Sequence, residues 1–293
     1  MQADTRWIND HDAFQAAAES LRHQLQVHCY RMLGSLHEAE DLVQETFLRA
    51  WRARERFEAR TSFRNWLYRI ATNACLNAIA QRKTPQRVWP DAYGPPADGP
   101  LQGNPATEVA WLEPYPDAAL HDVADSAPGP DARYELQESV QLAFIAAIQQ
   151  LPARQRAVLL LRDVLGWSAA ETGQLLDSSV ASVNSALQRA RATLEREMSS
   201  EPVPTPEADE RDLLERYVRT WESYDMDAFA ALLREDAVLR MPPWRQWYLG
   251  RQAIRDFFVW IRQHRELAAW RLVRTGANGQ PAFAHYARIG DFR

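Results

Sequence analysis

Residues Ala39 to Trp51 read AEDLVQETFLRAW, and their apolar members recur at helical spacing. Val43, Phe47, Ala50 and Trp51 fall three or four residues apart, as a helix packed against a core requires. Asp41, Gln44, Glu45 and Leu48 share the opposite face. An amide and a leucine set among acids suit a helix that docks on a partner better than one that faces only water. The stretch predicts one helix with two tasks, closing a core on one side and meeting a protein on the other.

Upstream, Phe14, Leu21, Leu25 and Val27 to Leu33 give another helical pattern, which pauses at Gly34-Ser35 and reopens at Glu38. Downstream, SFRNWLYRIATNACLNAIA (62–80) begins on Ser62, a good N-cap, and predicts a helix to about Gln81. Phe63, Leu67, Ile70, Ala74 and Ile79 mark its inner side. The other side carries Arg64, Asn65, Trp66, Arg69, Asn73 and Asn77 and ends in Gln81, Arg82 and Lys83. Arginines interleaved with an aromatic and amides suit melted DNA: bases stack on the ring, amides read their edges and guanidinium groups neutralise phosphate. Packing of Trp66 and Tyr68 between helices is the alternative reading.

A third helical region spans LPARQRAVLLLRDVLGWSAAETGQLL (151–176) and SVASVNSALQRARATL (179–194). It is preceded by Leu136, Val140, Phe144 and Ile148 at helical spacing. Pro152 opens a helix that Gly166 ends, Ser168 to Glu171 form a capping box, and a turn follows at Asp177-Ser178. Ser179 caps a longer helix with Val183, Leu187, Ala190 and Leu194 inward. Ser182, Asn184, Ser185, Gln188, Arg189 and Arg191 are left toward solvent, the pattern of a helix-turn-helix whose second helix enters a major groove. Asn184 and Gln188 have the geometry for adenine, and Arg189 or Arg191 for phosphate.

These stretches, in this order, resemble the extracytoplasmic function (ECF) group of bacterial RNA polymerase sigma factors. The resemblance implies that Asp41, Gln44, Glu45 and Leu48 bind core polymerase. It implies that Arg64, Trp66, Arg69, Asn73, Asn77, Arg82 and Lys83 meet the -10 element, with Asn73 and Asn77 selecting bases. Ser182, Asn184, Ser185, Gln188, Arg189 and Arg191 would meet the -35 element. Two departures stand out: Asp177 occupies a turn position where glycine is common, and Val180, Ala181 and Ala186 replace basic residues early in the recognition helix.

Composition bounds the function. A chain of 293 residues suits two or three modules, and its net charge of -5 argues against a protein that grips DNA unaided. Of 34 basic residues only Lys83 is a lysine, which fills the chain with forked donors for phosphates and carboxylates. Acid concentrates between 85 and 135, where 9 acidic side chains face 2 basic ones. Cys29 and Cys75 lie far apart in sequence with no metal-ligand spacing, and His23 and His28 do not complete one, so no cofactor, metal or disulfide is expected. The N-terminus carries no leader pattern and no apolar run is long enough to cross a bilayer, which leads to the expectation of a cytoplasmic protein with no membrane partner.

The expected organisation is a first helical domain over 10–84, an acidic Pro-rich linker over 85–134, the helix-turn-helix domain over 135–200 and a further domain over 207–293. Prolines and glycines from Pro85 to Pro105 rule out a helix in the linker. WLEPYPD (111–117) sets two aromatics among acids and prolines, more adhesive than a tether needs, and resembles a signature of ECF groups with an extra C-terminal domain; docking of Trp111 and Tyr115 on a neighbouring module merely to order the linker is the alternative to a regulatory role. In that group the linker runs near the template strand and RNA path, where acids mimic nucleic acid.

Beyond a hinge, EPVPTPEADE (201–210), the pattern is α+β: helices at Leu213 to Trp221 and from Asp225, a strand at Ala237 to Met241 and a helix at Gln252 to Gln263. Strands follow at Trp270 to Thr275 and Pro281 to Ile289 with a turn at Asn278-Gly279. The order resembles the SnoaL-like, nuclear-transport-factor-2-like cone, which this chain would leave incomplete at Arg293. Trp221, Tyr224, Trp244, Trp247, Tyr248, Trp260 and His285 are candidates to line its pocket and hold a small molecule, with core filling as the alternative for each. No acid pair suits catalysis, since Asp227 and Asp236 sit at a cap and a turn. The expectation is therefore a mainly α sigma factor, not an enzyme, whose fused domain regulates it, through a ligand or a contact within the chain. The rivals are a SnoaL-like enzyme, and a ligand-responsive DNA-binding regulator acting without polymerase.

Overall fold

The computed structural model describes residues 8, 10–57, 61–82, 86–119, 141–198, 207–264 and 267–289. Lys83, Leu136, Val140 and the first part of the 201–210 hinge lie outside them. Two compact units emerge. The first takes Met1–Arg87, Leu112–Ser200 and Ala277–Gln280; the second takes Val88–Trp111, Glu201–Gly276 and Pro281–Arg293.

In the first unit, α1 (His11–Glu19), α2 (Arg22–Leu33), α3 (Leu36–Ala53) and α4 (Phe63–Gln81) make up a first group of helices. α2 is buried from Leu25 to Leu33 on every side. A helix without a wet face must be surrounded by others, and α3 and α4 both pack on it. Gly34 ends α2 at φ +67, and a Cβ there would meet Leu112 at 2.8 Å, Arg87 at 3.0 Å and Gln149 at 3.1 Å. Ser35 caps α3 and Ser62 caps α4, each accepting from the backbone N–H three residues on. Cys29 and Cys75, remote in sequence, meet between α2 and α4 as buried free thiols; burial pushes the Cys75 thiol well up.

The same unit holds α5 (Leu142–Gln149), α6 (Ala153–Leu159, continued by a π turn over Leu160–Val164), α7 (Ala169–Leu176) and α8 (Val180–Glu197). Ser168 and Glu171 exchange the hydrogen bonds of a capping box. Asp177 takes the left-handed conformation at φ 50, and a Cβ on Gly173 would lie 2.6 Å from the Ser178 carbonyl oxygen, which fixes the tight turn between α7 and α8. Between the two groups of helices lies Arg156, 1 % exposed. Its guanidinium donates to the carbonyls of Met32, Ile148, Gln149 and Leu151 and to Gln149 Oε1, while Gln149 Nε2 donates to the Arg31 carbonyl at 3.1 Å. No carboxylate is among these partners; the negative ends of α2 and α5 hold the charge. Burial pushes the Arg156 pKa down to about 9.

Leu112 to Asp117 is ordered by this unit. Glu113 accepts from Ser35 Oγ at 2.9 Å, Leu36 N at 3.0 Å and His37 Nδ1 at 3.1 Å, and so caps α3 from outside. Burial alone would raise its pKa, but hydrogen bonds from His37 and Ser35 and the Arg87 charge hold it below the usual range. Tyr115 is fully buried with its ring 4.9 Å from that of Tyr30. Asn278, at φ 55, exchanges hydrogen bonds with the Tyr115 backbone and donates to Tyr30 Oη at 3.0 Å.

The second unit contains α9 (Glu207–Glu222), α10 (Met226–Leu232), β1 (Val238–Arg240), β2 (Trp247–Leu249), α11 (Arg251–His264), β3 (Leu267–Ala277) and β4 (Gln280–Ile289). β1 and β2 pair antiparallel, with Leu239 opposite Tyr248, and β3 pairs with β4. α9 starts at Glu207, earlier than the prolines of the hinge led us to expect, because the acids of EADE favour a helix N-terminus. The linker part, Val88–Trp111, is largely extended, but against expectation Pro90–Tyr93 form one turn of 3-10 helix, which Pro90 opens because its fixed φ suits a first helical position, and the segment is no free tether. Ala97 N donates to the Trp247 carbonyl at 2.8 Å, Trp247 Nε1 to the Gly94 carbonyl at 2.9 Å, and Arg240 grips Asp91 with two bonds. Proline-rich chain has little backbone freedom to lose, so a modest set of bonds fixes it.

Candidate functional site

On α3 the two faces separate as expected. Val43, Thr46 and Ala50 are buried, Phe47 and Trp51 half-buried, while Asp41 and Gln44 are exposed and Leu48 stands 52 % exposed. Glu45 is half-buried and pairs with Arg49 at 2.7 Å.

The face of α4 is less open than its sequence indicates. Its buried stripe is Leu67, Tyr68, Ala71, Thr72, Ala74, Cys75 and Ile79, with Phe63 and Ile70 only half-buried. Tyr68 is core, its ring against those of His28 and Trp167. Trp66 lies half-buried with its ring 5.2 Å from that of Phe57. Arg64 donates to Gln24 at 3.3 Å and lies over the Tyr68 ring at 4.8 Å. Arg82 is 12 % exposed and pairs with Glu38, which also takes Arg87. Arg69, Asn73 and Asn77 are exposed at successive four-residue steps. All three line a cleft of about 770 Å³ whose far wall is Arg154 of α6 with Gln174 and Asp177 at the end of α7. The sequence contained no signal for that far wall, because it depends on how the two groups of helices meet.

On α8, Ser182, Asn184, Ser185, Gln188 and Arg189 are all exposed, above the buried Val183, Leu187 and Ala190. Val180 is 48 % exposed in the first turn. Arg191 is exposed but makes two bonds to Asp163, at 2.8 and 2.7 Å.

The aromatic set of the second unit is divided. Trp221 is in the core, with ring centroids 4.7 Å from Phe258, 5.2 Å from Phe229 and 5.7 Å from His285. Tyr224 donates to the Phe258 carbonyl and lies under Arg262 at 4.2 Å. Trp244 is half-buried and Trp247 is taken up by Gly94. Tyr248 and Trp260 do line a groove, of about 660 Å³, together with Phe257 and residues 97–100. Burial lowers the His285 pKa. Asp227 and Asp236 pair on the surface with Arg255 and Arg234. Among the described residues no group of histidine, cysteine or acidic side chains is arranged for a metal, and no helix is long and apolar enough to cross a membrane.

Residues 18–84 match the Sigma-70 region 2 family, 141–194 match Sigma-70 region 4 and 214–292 match the SnoaL-like domain. The chain is 46 % identical over 287 residues to the ECF RNA polymerase sigma factor SigG of Mycobacterium tuberculosis, covering 95 % of this chain and 74 % of that protein. It is 32 % identical over 191 residues to the ECF RNA polymerase sigma factor SigW of Bacillus subtilis, covering 64 % and 90 %. The crystal structure of the Mycobacterium tuberculosis extracytoplasmic function sigma factor SigJ has the same fold, with a TM-score of 0.57 at 19 % identity over 95 % of this chain and 87 % of that one.

Proposed function

The chain belongs to the ECF RNA polymerase sigma factors, and from that we propose that it binds core polymerase through Asp41, Gln44, Glu45 and Leu48 of α3 and carries it to promoters. The observation that carries the assignment of α3 is its bare face: an acid, an amide and a leucine stand clear at helical spacing while the other side is buried. Glu113 supports that face indirectly by capping the first turn of α3.

Arg69, Asn73 and Asn77 of α4 meet the melted -10 strand, and Ser182, Asn184, Ser185, Gln188 and Arg189 of α8 meet the -35 element. Arg64, Trp66, Arg82 and Arg191 are engaged within the protein and act by positioning these helices. Lys83 retains its phosphate role on sequence grounds alone. Elements about 25 base pairs apart lie about 85 Å apart on B-form DNA. α4 and the α6–α7 pair share one cleft, so reading both elements at once requires them to part. The chain performs no reaction of its own, works in the cytoplasm and is regulated by its SnoaL-like domain; the packed core around Trp221 favours that role over catalysis. The test is co-purification with core polymerase of the doubly reversed variant Asp41→Lys, Glu45→Lys. Loss of the complex is expected. Undiminished recovery with normal folding would sink the assignment.

A further inference from the structure

The cleft between α4 and the α6–α7 pair has a chemistry that promoter binding leaves unused. Its volume, about 770 Å³, falls within the size of small-molecule sites. Arg69 enters from α4 and Arg154 from α6, and neither pairs with a carboxylate among the described residues. Arg154 donates one bond to the Leu176 carbonyl at the end of α7, which fixes its place and leaves other donors. Asn73, Asn77 and Gln174 supply amides from both walls, Leu76 and Leu175 supply apolar surface, and Asp177 is the one carboxylate in the lining.

We propose that this cleft binds a free mononucleotide, its phosphate held between Arg69 and Arg154 and its base edge read by the amides of Asn73, Asn77 and Gln174. Forked guanidinium groups suit a phosphate, and an amide offers the paired donor and acceptor that base edges need. The proposal rests on the reading of α4 as the -10 helix only in that both use Asn73 and Asn77, and it adds a ligand and a mode of control. Because the walls come from α4 on one side and α6–α7 on the other, the nucleotide binds only while these adjoin. It therefore stabilises that arrangement and opposes the parting that promoter reading requires.

The test is calorimetric titration of the full chain with GMP, AMP and inorganic phosphate, beside an open-complex assay free of nucleoside triphosphates. Saturable binding of a mononucleotide is expected, weakened about tenfold or more by Arg154→Ala and by Gln174→Ala, each loss being that of a charged or neutral hydrogen-bond set. The same mononucleotide should slow open-complex formation by the wild type and not by Arg154→Ala. Binding unchanged in Arg154→Ala, absence of mononucleotide binding at millimolar concentration, or phosphate alone binding as tightly would each overturn the proposal. Arg154 and Gln174 lie outside the promoter-reading set, so these failures leave the -10 assignment standing. Failure of that assignment shows instead as unaltered promoter selection by Asn73→Ala.

Discussion

The two helices assigned to DNA, α4 and α8, offer their reading faces in opposite ways. On α8 the row from Ser182 to Arg189 is bare, and only Arg191 is tied down, by Asp163. On α4, Arg64 and Arg82 are held inside the protein, Trp66 leans on Phe57, and Arg69, Asn73 and Asn77 look into a cleft. Under the roles proposed above, contact with duplex DNA through α8 needs no rearrangement, whereas contact with a melted strand through α4 follows only after its surroundings move. The contrast sets an order, with duplex recognition available first and strand capture gated.

The largest blow to that contrast is Arg156→Ala. Removing a buried guanidinium strands the carbonyls of Met32, Ile148, Gln149 and Leu151, and a loss of about 3–5 kcal/mol in urea unfolding is expected, with faster hydrogen exchange around Asn73 but not around Asn184. Equal exchange at both places would erase the distinction. Next comes Gly34→Ala, which combines a positive φ with a 2.8 Å approach to Leu112 and is expected to cost about 2–3 kcal/mol by the same measurement.

Asn184→Ala is expected to lose about 1–3 kcal/mol of discrimination at a single -35 base, whereas Arg189→Ala weakens binding evenly and flattens its salt dependence; competition binding over a promoter library separates the two. Acid tests the seat of α4. His28, against Thr72 and Tyr68, is pushed down to about 3 by burial, so below about pH 6.5 the unfolded chain takes up a proton that the folded one refuses. Stability of the first unit should fall by about 1.4 kcal/mol per pH unit from there toward pH 3, and His28→Gln should flatten the slope of thermal midpoint against pH. The smallest effect is that of Asp163→Asn, which frees the exposed Arg191: a change in stability within about 0.5 kcal/mol, with a measurable gain in DNA affinity if that arginine reaches phosphate.

Helix positions and caps were legible in the sequence because they are local. Ser62, the Ser168–Glu171 box and the left-handed Asp177 each follow from chemistry within a few residues. The division of α3 into a buried and an exposed face was equally legible, since burial and exposure alternate along one helix. What escaped was long-range. Nothing near Glu113 in the sequence announces that it caps α3, nothing near Cys29 points to Cys75, and Arg156 looks like one more surface arginine until two helix ends close around it. The aromatics of the second unit show the same limit: spacing marked Trp221 and Trp260 alike, and only packing buries one in the core and leaves the other half-buried beside a groove.

Arg156 is seated entirely on carbonyls and an amide, so pulling it out leaves no abandoned anion behind, and its charge regains water at once. Such a clasp is nearly deaf to ionic strength, whereas the grip of α8 on phosphate weakens steeply with it. A shift in cell osmolarity would thus alter how long this protein stays on a promoter while hardly changing how readily it unfastens.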